Sequence, residues 1–306
     1  MNDLTALMTI EQLRVFSAVA EHEHVTRAAE ALEMSQPAVS HQLRRLEAAL
    51  RIQLFERVGR GIKLSGDGRA LLPSATAALA AISAVQEAAT ARRGLLSGSL
   101  SVAASNTIGI YRLPTWLSGY VENVPAVDVR VRLVNTLEAI TLLREAQVDC
   151  ALIEGPGQTG DLEHLTIEVD QLVAVASSEH PLARLAPSKV VRTADLARHR
   201  YIAREPGSGT EALAAEMLGT AYRRGRVLEL GQVDAVRAAA LAGLGYAVIS
   251  LAAVREDLRL GRLRQLNVGR RTLSRSLEAL RRPSSLSPAL GAFWAHLASL
   301  RAGTSR

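Results

Sequence analysis

The sequence predicts a multidomain chain: a small helical unit finished by a β wing, one long helix, and an α/β part made of two subdomains. Three observations lead there. Two short helical patterns meet at a tight turn within Thr26–Leu50, an alanine-rich helical run follows from about Asp67 to Arg93, and after Gly94 strands alternate with helices. A length of 306 residues exceeds one typical domain and allows two or three. With 48% hydrophobic but only 3% aromatic residues, the cores must be built from Ala, Leu, Val and Ile.

Taken in order, Thr9 followed by Gln12 is a capping box opening a helix that buries Leu13, Phe16 and Ala20. Thr26 is the expected cap of the second helix and Ser35 of the third, with Pro37 in the first turn, where its missing N–H costs little. In that third helix Val39, Leu43, Leu46 and Leu50 recur at helical spacing and face a core. Gln36, Pro37, Ser40, His41 and Arg44 fall on the opposite side, where a helix entering the major groove meets base edges. An ordinary amphipathic helix pair in an enzyme would leave the same residues on a solvated face. The segment LFERVGRGIKLSGDG, with Gly59 and Gly61, suits a short hairpin whose Arg57, Arg60 and Lys63 fit phosphates or a minor groove.

The long run steps Leu72, Ala75, Leu79, Ile82, Gln86 and Ala89 by threes and fours, a stripe one helix cannot bury alone. It reads as a dimerisation helix, or else as a helix packed on its own domain; Pro73 would kink or start it. Beyond it, GSLSVAAS is a strand, followed by one helix reaching Glu122. VDVRVRLV is a second strand, Leu137–Ala146 a helix, and VDCALIEG, QLVAVAS, HRYIARE and GYAVISL are further strands. Repeated β-α units imply parallel sheets with helices on their faces.

Charge and cysteine usage narrow the function classes. The net charge is +6, and its distribution matters more than its total. Glu21, Glu23, Glu30 and Glu33 precede the third helix, whereas Arg44, Arg45, Arg51, Arg57, Arg60 and Lys63 follow against only Glu47 and Glu56. The single cysteine, Cys150, lies in an apolar strand and is expected to be a buried, inert thiol rather than a redox sensor. No run is expected to approach the roughly 18 apolar residues of a membrane span. MNDLTALMTIEQL lacks the basic and apolar pattern of a secretory signal, so a cytoplasmic location is expected. His22 and His24 are the only close histidine pair and have no cysteine partners, so no metal site is expected. Neither a GxSxG elbow nor a P-loop lysine occurs, and no catalytic residue or cofactor is expected. The arginines Arg270, Arg271, Arg275, Arg281 and Arg282 read as a solvated face rather than a second DNA site.

Over LRVFSAVAEHEHVTRAAEALEMSQPAVSHQLRRLEAALRIQLFERVGRGIKLSGDGRALL the chain closely resembles the LysR-type transcriptional regulators. The motifs are the Ala-Ala pair before the turn, Ser-Gln-Pro-Ala-Val-Ser, Leu-Glu and Leu-Phe-Glu-Arg, in that order. REPGSGT and LAGLGYAVIS carry a looser resemblance through the C-terminal part. The resemblance implies an all-α winged helix-turn-helix with a long linker helix, then an α/β two-lobed, periplasmic-binding-protein-like effector domain. The expected boundaries are 1–66, 67–94 and 95–306, with lobe 1 at about 95–166 and 269–306 and lobe 2 at about 167–268. It further implies operator DNA and a small-molecule effector as partners, a homodimer or homotetramer, and RNA polymerase as a further candidate. A solute-binding protein of the same two-lobed fold is the alternative reading.

On that basis Gln36, Pro37, Ser40, His41, Arg44, Arg45, Arg57, Arg60 and Lys63 are the candidate DNA-binding residues. An effector would bind at the C-terminal ends of strands, near helix N-termini. Ser105, Asn106, Thr107, Asn135 and Thr136 hold such positions in one lobe, and Arg204, Gly207, Ser208, Gly209 and Thr210 in the other. The same residues are ordinary helix caps, which is the competing reading. A small organic acid or anion is the leading ligand class. Two residues depart from the family pattern: Arg51 replaces a helix-ending glycine, and Glu211 replaces an arginine after REPGSGT, placing a carboxylate beside the expected site.

Overall fold

The computed structural model describes residues 8–58, 61–91, 96–155, 157, 159–185, 189–219, 221–222, 225–268, 273–283 and 287–303. The chain divides into two compact units, one built on the residues up to 95 and a larger one on those that follow.

In the first unit, α1 (Ile10–His22) starts with the predicted capping box: Thr9 Oγ1 accepts from Gln12 N at 3.3 Å, and Thr9 N donates to Gln12 Oε1 at 2.9 Å. The second helix, α2 (Val25–Ala31), is not capped by Thr26. His24 takes that place, its Nδ1 accepting from Thr26 N at 3.2 Å, so an imidazole nitrogen does the work expected of a hydroxyl. Ser35 caps α3 (Gln36–Leu50), its Oγ accepting from Ala38 N at 3.3 Å. Arg51 ends α3 at φ 57°, ψ 35° and so adopts the left-handed cap that favours glycine, at a cost of about 1 kcal/mol. Leu13, Phe16, Val19, Ala28, Val39 and Leu46 form the core; Ala20 and Leu50 pack at its edge.

Strands β1 (Phe55–Val58) and β2 (Gly61–Leu64) form the expected antiparallel wing, while Gly59 and Arg60 lie outside the described residues. Then α4 (Gly66–Ala91) carries Pro73 inside it. Leu71, Leu72, Ala75 and Leu79 pack on this unit's own core, so the first half of the stripe is covered at home. Farther along, Val85 is 65% exposed and Ala89 is exposed. The side chain of Gln86 lies outside the described residues. The expectation about membrane spans needs correcting, because Gly66–Val85 is long and apolar enough to qualify, with a mean hydropathy of 1.3. Its alanines raise that mean, and its leucines are packed against α1 and its neighbours.

The larger unit has two lobes. In the first, β3 (Gly98–Ser105), β4 (Val127–Val134) and β5 (Cys150–Glu154) are parallel, joined by α5 (Asn106–Tyr111), α6 (Leu113–Asn123) and α7 (Thr136–Arg144). Where one helix was expected before Glu122 there are two, broken at Arg112 (φ −127°, ψ −49°) just ahead of Pro114. A 15-residue strand, β6 (Glu163–Ser177), then passes into the second lobe; the expected lobe changeover at about 166 falls inside it. That lobe contains α8 (Thr193–Leu196), β7 (Tyr201–Ala203), α9 (Gly209–Leu218), β8 (Val227–Glu229), α10 (Val233–Leu241), β9 (Tyr246–Ser250), α11 (Leu251–Arg259) and β10 (Leu263–Gln265). Finally β11 (Leu273–Arg281) and α12 (Pro288–Gly303) return to the first lobe.

The strands form one sheet in the order β4-β3-β5-β11-β6-β9-β7-β8, with β10 also beside β6. The expected parallel pairing holds within each lobe, but every pairing of β6 and β11 is antiparallel. Apolar clusters line both faces. In lobe 1, Leu100, Val102, Trp116 and Phe293 pack on one face and Ile140, Leu143 and Ile153 on the other. Cys150 is fully buried, and burial pushes its thiol up to about 12.

The strand β11 overturns the expected solvated arginine face. Its sequence LSRSLEALR alternates, which turns Arg275 inward to 1% side-chain exposure. Arg281 pairs with Glu163 at 2.6 Å and lies 4.6 Å over the Trp294 ring. Arg282, beyond the strand, donates to the carbonyls of Leu143 and Val148, the latter at 2.8 Å. Arg270 and Arg271 lie outside the described residues.

Candidate functional site

Two sites follow from these elements. In the first unit, burying Val39, Leu43 and Leu46 forces the rest of α3 outward. Gln36, Pro37, His41, Arg44 and Arg45 are exposed and Ser40 is half-buried. Arg44 Nε donates to Ser40 O at 3.2 Å, which lays the guanidinium along the helix face. Gln36, Ser40 and Arg44 border a groove of about 980 Å³, with His24 and Thr26 at the start of α2 and Arg57 on the wing. The wing is fixed to α3 by Glu47, whose Oε1 accepts from Leu54 N at 2.8 Å, and its two ends are tied together by Ser65, whose hydroxyl donates to Gln53 O at 2.6 Å. The cross-strand register separates the two described wing cations. Arg57 pairs with Ile62, whereas Lys63 pairs with Glu56 and so lies on the hairpin's other face beside a carboxylate. Arg60 lies outside the described residues. The arrangement offers amide, hydroxyl and guanidinium groups on one helix, a set suited to base edges and phosphates.

The second site is the seam where the lobes meet. Both predicted sets of residues arrive there. Leu137 N donates to Gly207 O at 3.2 Å, and a Cβ on Gly209 would lie 1.7 Å from Glu154 O, so the two backbones touch across the seam. Gly207 has φ +87°, a conformation that requires glycine, and its Cβ position is 3.2 Å from Asn135 Oδ1. Ser105, Asn106, Thr107, Thr136, Arg204, Ser208 and Thr210 are all buried. Several serve structural ends. Asn135 Oδ1 accepts from Glu138 N at 2.9 Å as a helix cap, Thr136 donates to Glu154 O at 3.0 Å, and Asn106 Nδ2 donates to Val134 O at 3.3 Å.

Three predicted groups remain open. Ser105 and Ser208 occupy the N-cap positions of α5 and α9, yet neither hydroxyl makes a cap hydrogen bond, in contrast to Thr9, Ser35 and Ser250. Both oxygens are buried without a hydrogen-bond partner, and so is Arg204 Nη1. A buried polar atom left unsatisfied costs about 1–3 kcal/mol, so these three keep hydrogen-bonding capacity that the protein's own groups do not use.

Sequence reasoning missed the floor of the seam. Arg275 donates to Asp170 Oδ2 through Nε at 3.0 Å and Nη2 at 2.8 Å, and to Thr210 Oγ1 through Nη1 at 2.8 Å. Its Nη2 also lies 3.1 Å from Glu154 Oε2. Thr107 donates to Glu154 Oε1 at 2.9 Å and Ser250 to Asp170 Oδ1 at 2.7 Å. The available signal was a charged residue inside each of three apolar strand patterns. Glu211 does not stand free beside the site. Its Oε2 accepts from Tyr201 Oη at 3.0 Å and from Arg204 N at 2.8 Å. Burial holds its pKa above the usual carboxylate range, against the hydrogen bonds from Arg204 N, Tyr201 and Tyr222. Arg204 does turn inward, but Glu205 meets it side-on, Nε to Oε2 at 2.8 Å and Nη2 to Oε1 at 2.9 Å.

Comparison with known proteins finds matches to both units of the chain. Residues 10–69 match the family model described as a bacterial regulatory helix-turn-helix protein, lysR family, and residues 93–301 match the LysR substrate binding domain. The chain is 32% identical over 290 residues to a RuBisCO operon transcriptional regulator of Allochromatium vinosum, covering 94% of each. It is also 32% identical over 291 residues to the HTH-type transcriptional regulator CfxR of Cupriavidus necator, covering 94% of this chain and 90% of the relative. In fold it is similar to a full-length OxyR variant from Pseudomonas aeruginosa, with a TM-score of 0.75 at 22% identity over 96% of this chain and 95% of that one.

Proposed function

Because the chain belongs to the LysR family of bacterial helix-turn-helix transcriptional regulators, we propose that it binds operator DNA through α3 and the wing and answers to a small molecule in the interlobe seam. The observation that carries the DNA half is the exposed face of α3, where Gln36, Ser40 and Arg44 border one groove. Gln36 reads an adenine edge and Arg44 a guanine edge or phosphate in this reading, while Pro37 meets a thymine methyl group. Arg45 and Arg57 hold the backbone, and Lys63, paired across from Glu56, contributes least. Supporting the effector half are the buried, uncapped hydroxyls of Ser105 and Ser208 on facing lobes.

Val85 and Ala89, exposed on the far half of α4, support dimerisation there, which would place two reading helices on half-sites roughly 34 Å apart or a multiple of that. Regulation without catalysis is the activity we assign, in the cytoplasm where operator DNA lies. RNA polymerase enters as a partner only for an activator. The test is a gel-shift titration with duplexes selected from a random library by the wild-type chain. Arg44→Ala is expected to weaken binding by about 5- to 100-fold, the loss of one base or phosphate contact, with unchanged thermal stability. Unchanged affinity refutes the assignment of α3 as the reading helix.

A further inference from the structure

The charges at the seam do not balance. Arg275, Asp170 and Glu154 have side-chain exposures of 1%, 3% and 2%, so one buried cation is shared by two buried carboxylates. The other seam cation, Arg204, is matched by Glu205. No unspent positive charge is left among these groups, and one carboxylate is in surplus. The hydroxyl donors nearest that surplus are spent as well, Thr107 on Glu154 and Ser250 on Asp170. Glu154 Oε2 accepts no aligned hydrogen bond although Arg275 Nη2 is 3.1 Å away. The groups still open are therefore the hydroxyls of Ser105 and Ser208, Arg204 Nη1, and two carboxylate oxygens, Glu154 Oε2 facing Arg275 and Glu211 Oε1 on the helix beyond Arg204.

A ligand carrying only negative charge would meet the surplus carboxylate in a low-dielectric interior with no free cation to receive it. A ligand that brings a cation of its own would complete the pairing. Glu154 is close enough to the other lobe for this, since its peptide oxygen touches Gly209, the neighbour of Ser208. Resting on the reading of the seam as the effector site, we propose that the effector is a small organic acid that also carries a protonated amino group. Its carboxylate is received by Arg204 Nη1 and Ser208, and its ammonium by Glu154 Oε2 and Ser105.

The test uses the full-length chain and matched ligands differing only in the ammonium group. Isothermal titration calorimetry would compare aspartate with malate, serine with glycerate, alanine with lactate and phenylalanine with phenyllactate, with sulfate and inorganic phosphate as ammonium-free anions. At least one amino acid is expected to bind about 10- to 100-fold more tightly than its hydroxy acid, the range for one charge-assisted hydrogen-bonded contact. Glu154→Gln is expected to close that gap, while Arg204→Ala weakens both members of the pair. The wild-type ratio needs no variant and stays decisive should Glu154→Gln fail to fold. A hydroxy acid, sulfate or phosphate that binds at least as tightly as every amino acid, and is weakened by Arg204→Ala, overturns the ammonium and leaves the seam reading intact. Binding indifferent to Arg204→Ala and Ser208→Ala, or no binding of any probe, overturns the seam reading and the proposal together.

Discussion

Substituting Gly209 by alanine tests how tightly the lobes are closed on each other. A Cβ there would lie 1.7 Å from Glu154 O and 3.1 Å from Thr136 Oγ1, whereas ordinary van der Waals contact begins at 3.4 Å. The atom struck is a carbonyl of the buried strand β5, so no side chain can rotate away and the seam must open by well over an ångström. Overpacking of this kind costs about 3 kcal/mol, the upper end of its range, which in a unit of roughly 200 residues lowers Tm by about 6–12 °C. Gly291, in α12, has nothing within 4 Å of its Cβ position, so Gly291→Ala should instead stabilise the same unit by about 0.5–1 kcal/mol through helix propensity. Differential scanning calorimetry of both variants reads the two signs. Hydrogen exchange adds a local readout, because the Leu137 amide that donates to Gly207 O should lose protection in Gly209→Ala alone. A Gly209→Ala transition within about 1 °C of wild type, or shifts of one sign in both variants, would refute the closed seam.

Leu46 is fully buried, and Leu46→Ala should cost the first unit about 2–5 kcal/mol and abolish DNA binding by unfolding, visible as loss of that unit's calorimetric transition. His180 accepts from Leu182 N at 3.3 Å with its ring 4.9 Å from that of His199; burial first, then His199, holds its pKa below the usual value. The fold therefore favours the neutral ring, and this contribution is complete above about pH 6.5 and lost as pH falls toward the depressed folded value. His180→Asn should narrow the difference in Tm between about pH 7.5 and pH 5.5, and an unchanged difference would assign the acid sensitivity elsewhere. Cys150 should resist a thiol reagent in the native chain and react fully in strong guanidinium; native reactivity would contradict its burial.

How much could be read beforehand depended on how locally each feature is determined. Thr9, Ser35 and the Val39–Leu43–Leu46 face were legible because a cap or a helical stripe is decided within a few neighbouring residues. His24 displaced Thr26 because a backbone turn, with Glu23 at φ 47°, brings the imidazole to the helix start, and composition does not reveal a turn's path. Arg275 was illegible for the opposite reason. Its partner Asp170 is 105 residues away, so only the pairing of β6 with β11 shows that this arginine is interior. Glu205 was hidden as the occupant of Arg204 for a different reason: the two are adjacent in sequence, and adjacency alone does not show whether their side chains clasp. Sequence placed the loops at the strand ends correctly; it did not show which donors there were already engaged.

The antiparallel run of β6 against β11 extends from Glu163 paired with Arg281 to Leu172 paired with Leu273, with an irregularity at Leu277/Glu278. Two hydrogen-bonded strands resist stretching and bending apart but yield to rotation about their length. The link between the lobes is therefore a torsion bar rather than a door hinge. The movement this leaves open to the lobes is a twist, small in displacement at the ladder and larger with distance from it, and the Asp170–Arg275 pair lies within the ladder, next but one to its Leu172–Leu273 end.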